Sequence, residues 1–348
     1  MSQNDEQGMS ELALAGDHFF PRCDGVDVAS AVTPPWKADE GRVERGGPWF
    51  EANDCYWRIA THELPASKRS NGHSASSSTT PVPGLDAAAG VPSVVLALAE
   101  DLNTHIPVSP GDSRIITSRY SVVISTDPDP HRNVVQRLRL TASEIESTVA
   151  EVRAHLAARG RYCATWEVGS SAVPPELADR LMELGMVPDE PEPLAVGMVL
   201  TQPLGSHPTA AVVRRVTTLE DYRIADSIYR SCFGGDEVPP CVTERRFVEH
   251  QSVGIVARYI ASIDGEPVAA AEAMYLEDAV VLCGGVSLPT ARGRGAYRAL
   301  VRARWEEGAR RGTPILVTQA NAMSRPILRR LGFQEVAMIR IFRDEFGD

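Results

Sequence analysis

Hydrophobic and polar residues follow two kinds of pattern along this chain. Segments 120–126 and 162–168 are rich in apolar and β-branched residues, which is typical of strands. Segment 142–159 has apolar residues three or four positions apart, which is typical of a helix, and Gly160 ends it. The two patterns alternate from residue 93 onward, so the sequence predicts an α/β (α+β) fold.

The same patterns divide the chain into four regions. Residues 1–64 form an irregular arm that carries aromatic residues among many Gly, Pro and Asp residues. Residues 65–92 are rich in Ser, Pro and Gly and too polar to form a core, so we expect a flexible linker or insert. A first lobe then occupies 93–205, and a second lobe occupies 210–348.

The second lobe has the clearer signals. Asp264-Gly265 lies between two alternating segments, which predicts a two-residue hairpin. A third strand ends at Pro289, and a helix is expected over 296–311. Elsewhere in this lobe we expect strands at 210–216, 314–320 and 336–342, and helices at 219–233, 244–251 and 324–331.

Both lobes contain a helix, Arg-Gly, a strand and a short helix that ends in Leu-Gly. The two glycines are Gly160 and Gly185 in the first lobe, and Gly312 and Gly332 in the second. This order predicts a duplication in which only the second copy kept a ligand-binding loop. The alternative is a chance similarity between two α/β units.

Segment 285–300 carries the candidate chemistry. A turn that contains Gly293 and Gly295 joins the third strand directly to a helix. The first amides of such a helix lack partners and, with the positive end of the helix dipole, form an anion site suited to a pyrophosphate. The glycines allow close approach of the backbone, while Arg292 and Arg294 add positive charge.

This segment resembles the pyrophosphate loop of the GNAT superfamily of acetyltransferases, which reads Arg/Gln-x-x-Gly-x-Gly/Ala. Arg292 and Gly295 match the loop, whereas Tyr297 replaces its last Gly or Ala. Segment 317–333 (VTQANAMSRPILRRLGF) is similar to the family's second coenzyme-binding segment. The resemblance implies tandem GNAT-like lobes, each a mixed central sheet flanked by helices. The first lobe is degenerate, because no Arg-x-x-Gly turn precedes its helix.

The resemblance also implies acetyl-CoA as a co-substrate. The third strand of the second lobe is expected to diverge from its neighbour near 286–288. Main-chain groups there would bind the pantetheine arm, and one N–H would polarise the thioester carbonyl. The expected coenzyme-binding residues are Val286, Ser287, Leu288, Arg292, Gly293, Arg294, Gly295, Ala296, Tyr297, Asn321 and Ser324.

Direct attack by a neutral amine requires no protein nucleophile but does require proton transfer. Glu272, on the strand beside the coenzyme strand, is the candidate base, and the alternative role is an ion pair or a partly exposed strand residue. The position where many relatives carry a Tyr acid is Leu328. Asp236 and Glu237 are expected to face the acceptor.

Cysteine and histidine patterns indicate no other chemistry. The sequence has 6 Cys without a C-x-x-C pair, so neither a metal site nor a disulfide framework is expected. We interpret Cys283 as a core residue and His250 as a structural one.

The charge pattern limits the partners. A formal net charge of -11 disfavours nucleic acids and is compatible with an amine-bearing acceptor, a small molecule more than a protein. The acidic N-terminus is not a signal peptide, and no apolar run is long enough to span a membrane, so we expect a cytoplasmic protein. The sequence gives no signature of oligomeric state.

The sequence therefore predicts an acetyl-CoA-dependent N-acetyltransferase. Leu328 and Tyr297 leave open an alternative, a non-catalytic module that senses acyl-CoA or mediates an interaction. The donor acyl chain also stays open, since Ala270 and Met274 do not specify its length. An aminoglycoside, a polyamine, an amino acid and a protein N-terminus all stay open as acceptors.

Overall fold

The computed structural model describes most of the two lobes. The described residues are 43–45, 90–109, 111–127, 129–205, 209–235 and 237–347. Most of the predicted arm and linker, together with Asp236, lie outside them. Within the arm, residues 43–45 form a short strand, where the sequence predicts irregular structure.

The described residues form eight helices and thirteen strands. The helices are α1 Ser93–Glu100, α2 Leu102–His105, α3 Ile145–Ala157, α4 Leu177–Glu183, α5 Leu219–Phe233, α6 Pro240–Ser252, α7 Ala296–Arg310 and α8 Arg325–Arg330. The strands are β1 Val43–Arg45, β2 Ser113–Ile116, β3 Ser121–Ile124, β4 Val134–Gln136, β5 Cys163–Val168, β6 Val187–Pro188, β7 Leu194–Leu200, β8 Val212–Arg215, β9 Val256–Ile263, β10 Glu266–Tyr275, β11 Val280–Ser287, β12 Leu316–Ala320 and β13 Gln334–Glu345.

All these strands belong to one mixed sheet. Its order is β1-β2-β3-β4-β5-β13-β7-β12-β11-β10-β9-β8, and β6 pairs with β13. The pairs β4–β5 and β11–β12 are parallel, and the other pairs are antiparallel. Helices cover both faces. The side chains of Ala269 and Ala270, successive residues of β10, point to opposite faces of the sheet. Ala269 packs with Leu300 of α7, and Ala270 packs with Tyr222 of α5. The predicted fold class is confirmed.

The two lobes exchange their last strands. Strand β7 ends the first lobe, yet it lies between β12 and β13 of the second. Conversely, β13 ends the second lobe and lies between β7 and β5 of the first. The pair β7–β13 runs antiparallel, with Ala195 opposite Ile339. Each lobe is therefore completed by a strand from the other.

Helix α1 packs across this exchanged region. Val95 and Leu98 belong to one core cluster with Val199 of β7 and Val317 of β12. The side chain of Gln319 donates hydrogen bonds to the carbonyl oxygens of Ala99 and Glu100, at 3.3 and 3.0 Å. Helix α1 thus joins strands of both lobes, and we made no prediction of it from the sequence.

Gly197 of β7 marks the closest approach of α1 to the sheet. A Cβ at this position would lie 2.5 Å from the carbonyl oxygen of Ala99, a backbone atom that has little room to move. We expect Gly197→Ala to lower the free energy of unfolding by about 1–3 kcal/mol, as overpacking does. Urea denaturation gives the measurement. Gly254→Ala is the matched control, since nothing lies within 4 Å of its added methyl group. Equal stabilities of the two variants would contradict this packing.

Candidate functional site

Strands β11 and β12 separate after a short paired region. Their register pairs Val280 with Leu316 and Val281 with Val317, and it ends there although both strands are described in full. Beyond it, the Thr318 hydroxyl still reaches the carbonyl oxygen of Leu282, at 3.3 Å. We call the unpaired region that follows the β11–β12 opening. It begins earlier along β11 than the predicted point near 286–288.

A β-bulge in β11 lies beside this opening. Ala270 of β10 pairs with Val286 and Glu272 pairs with Cys283, so Gly284 and Gly285 together face one residue of β10. Gly284 has a φ of +50°, which other residues rarely adopt. A bulge releases main-chain groups from the ladder and changes their direction. The Gly284-Gly285 pair was the sequence signal for this feature, and we missed it.

The β11–β12 opening leads directly to the N-terminus of α7. After a turn at Pro289–Ala291, Gly293 and Gly295 adopt φ values of +78° and +88°. Helix α7 begins at Ala296 without a side-chain cap. The backbone N–H groups of its first turn and the positive end of its dipole, which comes from 15 residues, therefore lie beside Arg292. The Arg292 side chain is exposed. The sequence predicts an anion site at this position.

Tyr297 points away from this turn and toward β11. A Cβ on Gly285 would lie 2.7 Å from Cε2 of Tyr297, so the ring occupies the space that a larger residue at 285 would fill. The ring is half-buried and packs on the α7 side of the core. Burial raises the pKa of the Tyr297 phenol, which therefore stays protonated at neutral pH. Tyr297, which departs from the GNAT loop pattern, is accommodated because residue 285 is a glycine.

Asn321 and Ser324 hold the turn between β12 and α8. The backbone N–H and hydroxyl of Ser324 donate to Oδ1 of Asn321, each at 2.9 Å. The side-chain amide of Asn321 donates to both carboxylate oxygens of Glu192, at 2.9 and 3.0 Å. Glu192 comes from the first lobe, so the turn between β12 and α8 is fixed by a residue that the sequence did not point to.

Glu272 lies in a buried ion pair. Its Oε2 accepts a hydrogen bond from Nε of Arg258 at 3.0 Å, and Nε2 of His250 lies 3.5 Å away. Burial alone would raise the pKa of Glu272, but Arg258 and His250 outweigh it and hold the pKa below its ordinary value. The Arg258 guanidinium in turn stacks on Tyr222, 4.3 Å from the ring centroid. His250, which the sequence left without a partner, therefore belongs to this cluster.

Several polar atoms around the bulge have no hydrogen-bond partner among the described residues. They are Oε1 of Glu272, the Tyr229 hydroxyl, the Ser287 hydroxyl and Nη2 of Arg304. The Nη1 of Arg304 donates to the carbonyl oxygen of Glu272 at 3.0 Å. Unpartnered buried groups cost roughly 1–3 kcal/mol each, and such clusters are typical of sites that bind or react.

The remaining candidate residues are placed as follows. Cys283 and Leu328 are each 1% exposed and lie in core clusters. Glu237 is exposed in the loop between α5 and α6. No group of His, Cys, Asp and Glu that could hold a metal ion occurs in the described part of the chain. None of the described helices is long and apolar enough to cross a membrane.

The first lobe has the corresponding strand pair, β4–β5, but its gap is closed. The N–H of Val173 donates to the carbonyl oxygen of Leu138 at 3.2 Å, and the N–H of Leu140 donates to the carbonyl oxygen of Val173 at 3.0 Å. Thr141 and Glu144 then form a reciprocal capping box ahead of α3. The capping box satisfies two of the backbone N–H groups at this helix start from within the chain.

Comparisons with known proteins identify the fold. No family model and no curated protein match the sequence. Among solved structures, a GCN5-related N-acetyltransferase from Kribbella flavida is 18% identical with a TM-score of 0.50, and the match covers 67% of this chain and 90% of that one. One from Sphaerobacter thermophilus is 17% identical with a TM-score of 0.50, over 76% of this chain and 94% of that one.

A tandem GNAT protein from the clavulanic acid biosynthesis pathway is also similar, with 16% identity and a TM-score of 0.49 over 69% of this chain and 82% of that one. At these identities the similarities concern the fold alone. The two N-acetyltransferases with TM-scores of 0.50 show that the chain has the fold of GCN5-related N-acetyltransferases.

The contact between Gly285 and Tyr297 gives a testable coupling. We expect Gly285→Ala to destabilise the protein by about 1–3 kcal/mol, because the new methyl group overlaps the Tyr297 ring. In a Tyr297→Ala background the same change should cost far less. Urea denaturation of the four members of this double-mutant cycle measures the coupling. Additive effects would show that the ring does not rest on Gly285.

Proposed function

We propose that the protein is an acetyl-CoA-dependent N-acetyltransferase that transfers the acetyl group to an amine by direct attack on the thioester. One observation carries this proposal. The β11–β12 opening leads without interruption into a glycine turn at the uncapped N-terminus of α7. An extended arm that ends in a pyrophosphate fits this geometry, since the arm needs unpaired strand groups and the phosphates need free amides.

The proposed coenzyme site has two parts. Gly293, Gly295 and the first turn of α7 hold the pyrophosphate, assisted by Arg292 and Arg294. The arm then follows Val286, Ser287 and Leu288 along β11, with Asn321 and Ser324 on the opposite wall. Main-chain groups released by the bulge polarise the thioester carbonyl, and the loss of one such donor commonly costs about 3–4 kcal/mol of transition-state stabilisation.

Glu272 is the proposed base for the amine proton. Its lowered pKa keeps the carboxylate ionised at neutral pH, and its Oε1 has no hydrogen-bond partner among the described residues. The ion pair with Arg258 weakens it as a base but also fixes its position. The proposed acceptor is a small-molecule amine, and the proposed location is the cytoplasm.

Coenzyme binding is tested by thermal shift with acetyl-CoA. At a hundred times its dissociation constant a ligand stabilises the folded state by about 2.7 kcal/mol, which for a protein of this size raises Tm by roughly 4–5 °C. Gly295→Glu should abolish this shift, because it places a negative side chain at the anion site and its Cβ would lie 2.7 Å from Oγ1 of Thr209.

Gly312→Glu is the matched control for this experiment. Gly312 has the same φ of +88°, but it follows the opposite end of α7 and nothing lies within 4 Å of an added Cβ. This variant should keep the full shift. If the wild-type protein shows no shift, or if both variants lose it equally, the proposed site is wrong.

Glu272→Gln tests the base. We expect the release of coenzyme thiol to fall roughly 100- to 10,000-fold while acetyl-CoA binding is kept. Because the pKa of Glu272 lies below that of an ordinary glutamate, the acid limb of the kcat/KM profile should lie correspondingly low. The same ionised carboxylate stabilises the fold at neutral pH, and this contribution is lost as pH falls through the folded-state pKa.

Asp344→Asn provides the comparison for Glu272→Gln. Asp344 is also fully buried and pairs with an arginine, Arg153, at 2.7 Å, but it lies in the first-lobe half of the sheet. It should lose stability without losing activity per folded molecule. If both variants lose stability and neither loses turnover, Glu272 is structural.

The acyl-CoA-sensing module stays a second candidate, because Leu328 is buried where many relatives carry a phenol. Binding of acetyl-CoA without thiol release in the presence of mixed amines would favour it.

A further inference from the structure

Arg304, in the middle of α7, is a buried arginine that contacts only neutral acceptors among the described residues. Its side chain is 1% exposed. Its Nε donates to the carbonyl oxygen of Leu300 at 3.1 Å, and its Nη1 donates to the carbonyl oxygen of Glu272 at 3.0 Å. Its Nη2 has no hydrogen-bond partner in the described part of the chain. Because an arginine keeps its proton in proteins, a full positive charge is buried here.

The neighbouring ionised side chains are balanced, whereas Arg304 is not. Glu272 pairs with Arg258 at 3.0 Å. On the next turn of α7, Glu307 pairs with Arg311 at 2.6 Å. Arg304 therefore adds a surplus positive charge between α7 and β10. An apolar side chain of similar volume in place of a buried charge is often neutral or stabilising, so packing alone does not account for an arginine at this position.

The surplus charge lies beside the β-bulge of β11. Glu272, whose carbonyl oxygen Arg304 contacts, pairs with Cys283, and Cys283 directly precedes Gly284 and Gly285. The contacted carbonyl therefore belongs to the strand pair that borders the bulge. The proposed thioester lies along β11 at this bulge, so the buried charge and the proposed reaction centre are on the two sides of one strand.

The charge of Arg304 is felt on both faces of the sheet at this point. Tyr297 packs on the α7 face against Gly285, and Tyr229 packs on the α5 face in one cluster with Val286. Burial raises the pKa of both phenols, and Arg304 is among the groups that oppose this rise. A positive charge that favours an ionised phenol also favours any other anion in the same buried space.

We infer that Arg304 stabilises the coenzyme thiolate as it leaves the acetyl group. This inference rests on the proposed function and concerns its second proton task, for which Leu328 offers no acid. Arg304 does not contact the coenzyme; it acts across β11 by its charge, and the Glu272 carbonyl fixes the guanidinium in place. A charge that is already in position needs no reorganisation when negative charge develops in the transition state.

The transfer balances without a protein acid at the sulfur. The amine nitrogen bonds to the acetyl carbon and gives one proton to Glu272. The carbon–sulfur bond breaks, its electron pair stays on sulfur, and the positive charge stabilises the thiolate that results. Glu272 then releases its proton to solvent, and the thiolate takes up one proton from solvent after it leaves the site. The products are the amide and the coenzyme thiol.

An NMR pH titration of coenzyme A measures this effect directly. The resonance of the carbon bonded to sulfur reports whether the thiol is ionised, both in the free coenzyme and in the complex. The acid dissociation constant of the thiol should be roughly tenfold or more higher in the wild-type complex than in free coenzyme A. An unchanged constant in the wild-type complex would overturn the inference without the need for any variant.

Arg304→Met replaces the charge by an apolar side chain of similar length. The dissociation constant of the bound thiol should return close to that of free coenzyme A, and kcat should fall roughly tenfold or more. Thermal stability should be kept or increased. Arg304→Lys retains a positive charge and should restore part of both effects. A purely structural arginine would instead show a loss of stability with an unchanged thiol, and this result would overturn the inference.

Arg114→Met is the matched control. Arg114 is 7% exposed and also donates to main-chain carbonyl oxygens, those of Asn103 at 3.2 Å and of Ile106, but it lies in the first lobe. This variant should leave the thiol and the turnover per folded molecule unchanged; an equal effect of both methionine variants would contradict the inference. Failure of the proposed function is distinguishable, because acetyl-CoA would then give no thermal shift. Coenzyme binding with an unshifted thiol would overturn this inference alone.

Discussion

The pairing of β12 with β7 is the interaction on which the site depends. All five residues of β12 pair with β7, from Leu316 opposite Leu200 to Ala320 opposite Val196, whereas only two of them pair with β11. An opening between two strands is stable only if each wall is held from its other side. β10 and β9 hold β11, and among the described strands the neighbour on the far side of β12 is a strand of the first lobe. The second lobe therefore does not form a rigid opening from its own strands.

The two halves of the molecule show how one topology gives two different helix starts. In each half, two parallel strands are joined by a helix. The starts of these two helices differ. Gly295 precedes α7 with a φ of +88° and no cap, whereas Thr141 and Glu144 cap the start of α3. In the first half the backbone around Val173 also bonds across the gap. A capped helix beside a closed gap offers fewer free amides than the start of α7, which is consistent with placing the proposed coenzyme site in the second half.

Local features of the chain were predicted well, because they depend on neighbouring residues. The hairpin at Asp264-Gly265 is present, α5 spans Leu219–Phe233 as expected, and Gly160, Gly185, Gly312 and Gly332 all have positive φ. The glycine turn at the start of α7 was also found from its residues. These features follow from turn chemistry, capping and periodicity, which a single sequence displays directly.

The rest depends on contacts between distant segments, which local patterns do not record. The strand exchange, the packing of α1 on Gly197, and the bonds from Asn321 to Glu192 all join residues more than ninety positions apart or in different lobes. Tyr297 illustrates the same limit. The sequence shows it only as a replacement for a small loop residue, and the structure places its ring against Gly285 of β11.

Strand β12 separates two regions of opposite charge. On one side lie the uncapped start of α7 and Arg292, and on the other lie the carboxylates of Glu167 and Glu192. The proposed coenzyme is polyanionic, so the first of these sides suits it. A formal net charge of -11 would by itself repel the coenzyme. Local groups decide the sign at each site because screening in salt limits the reach of distant surface charges to about 10 Å.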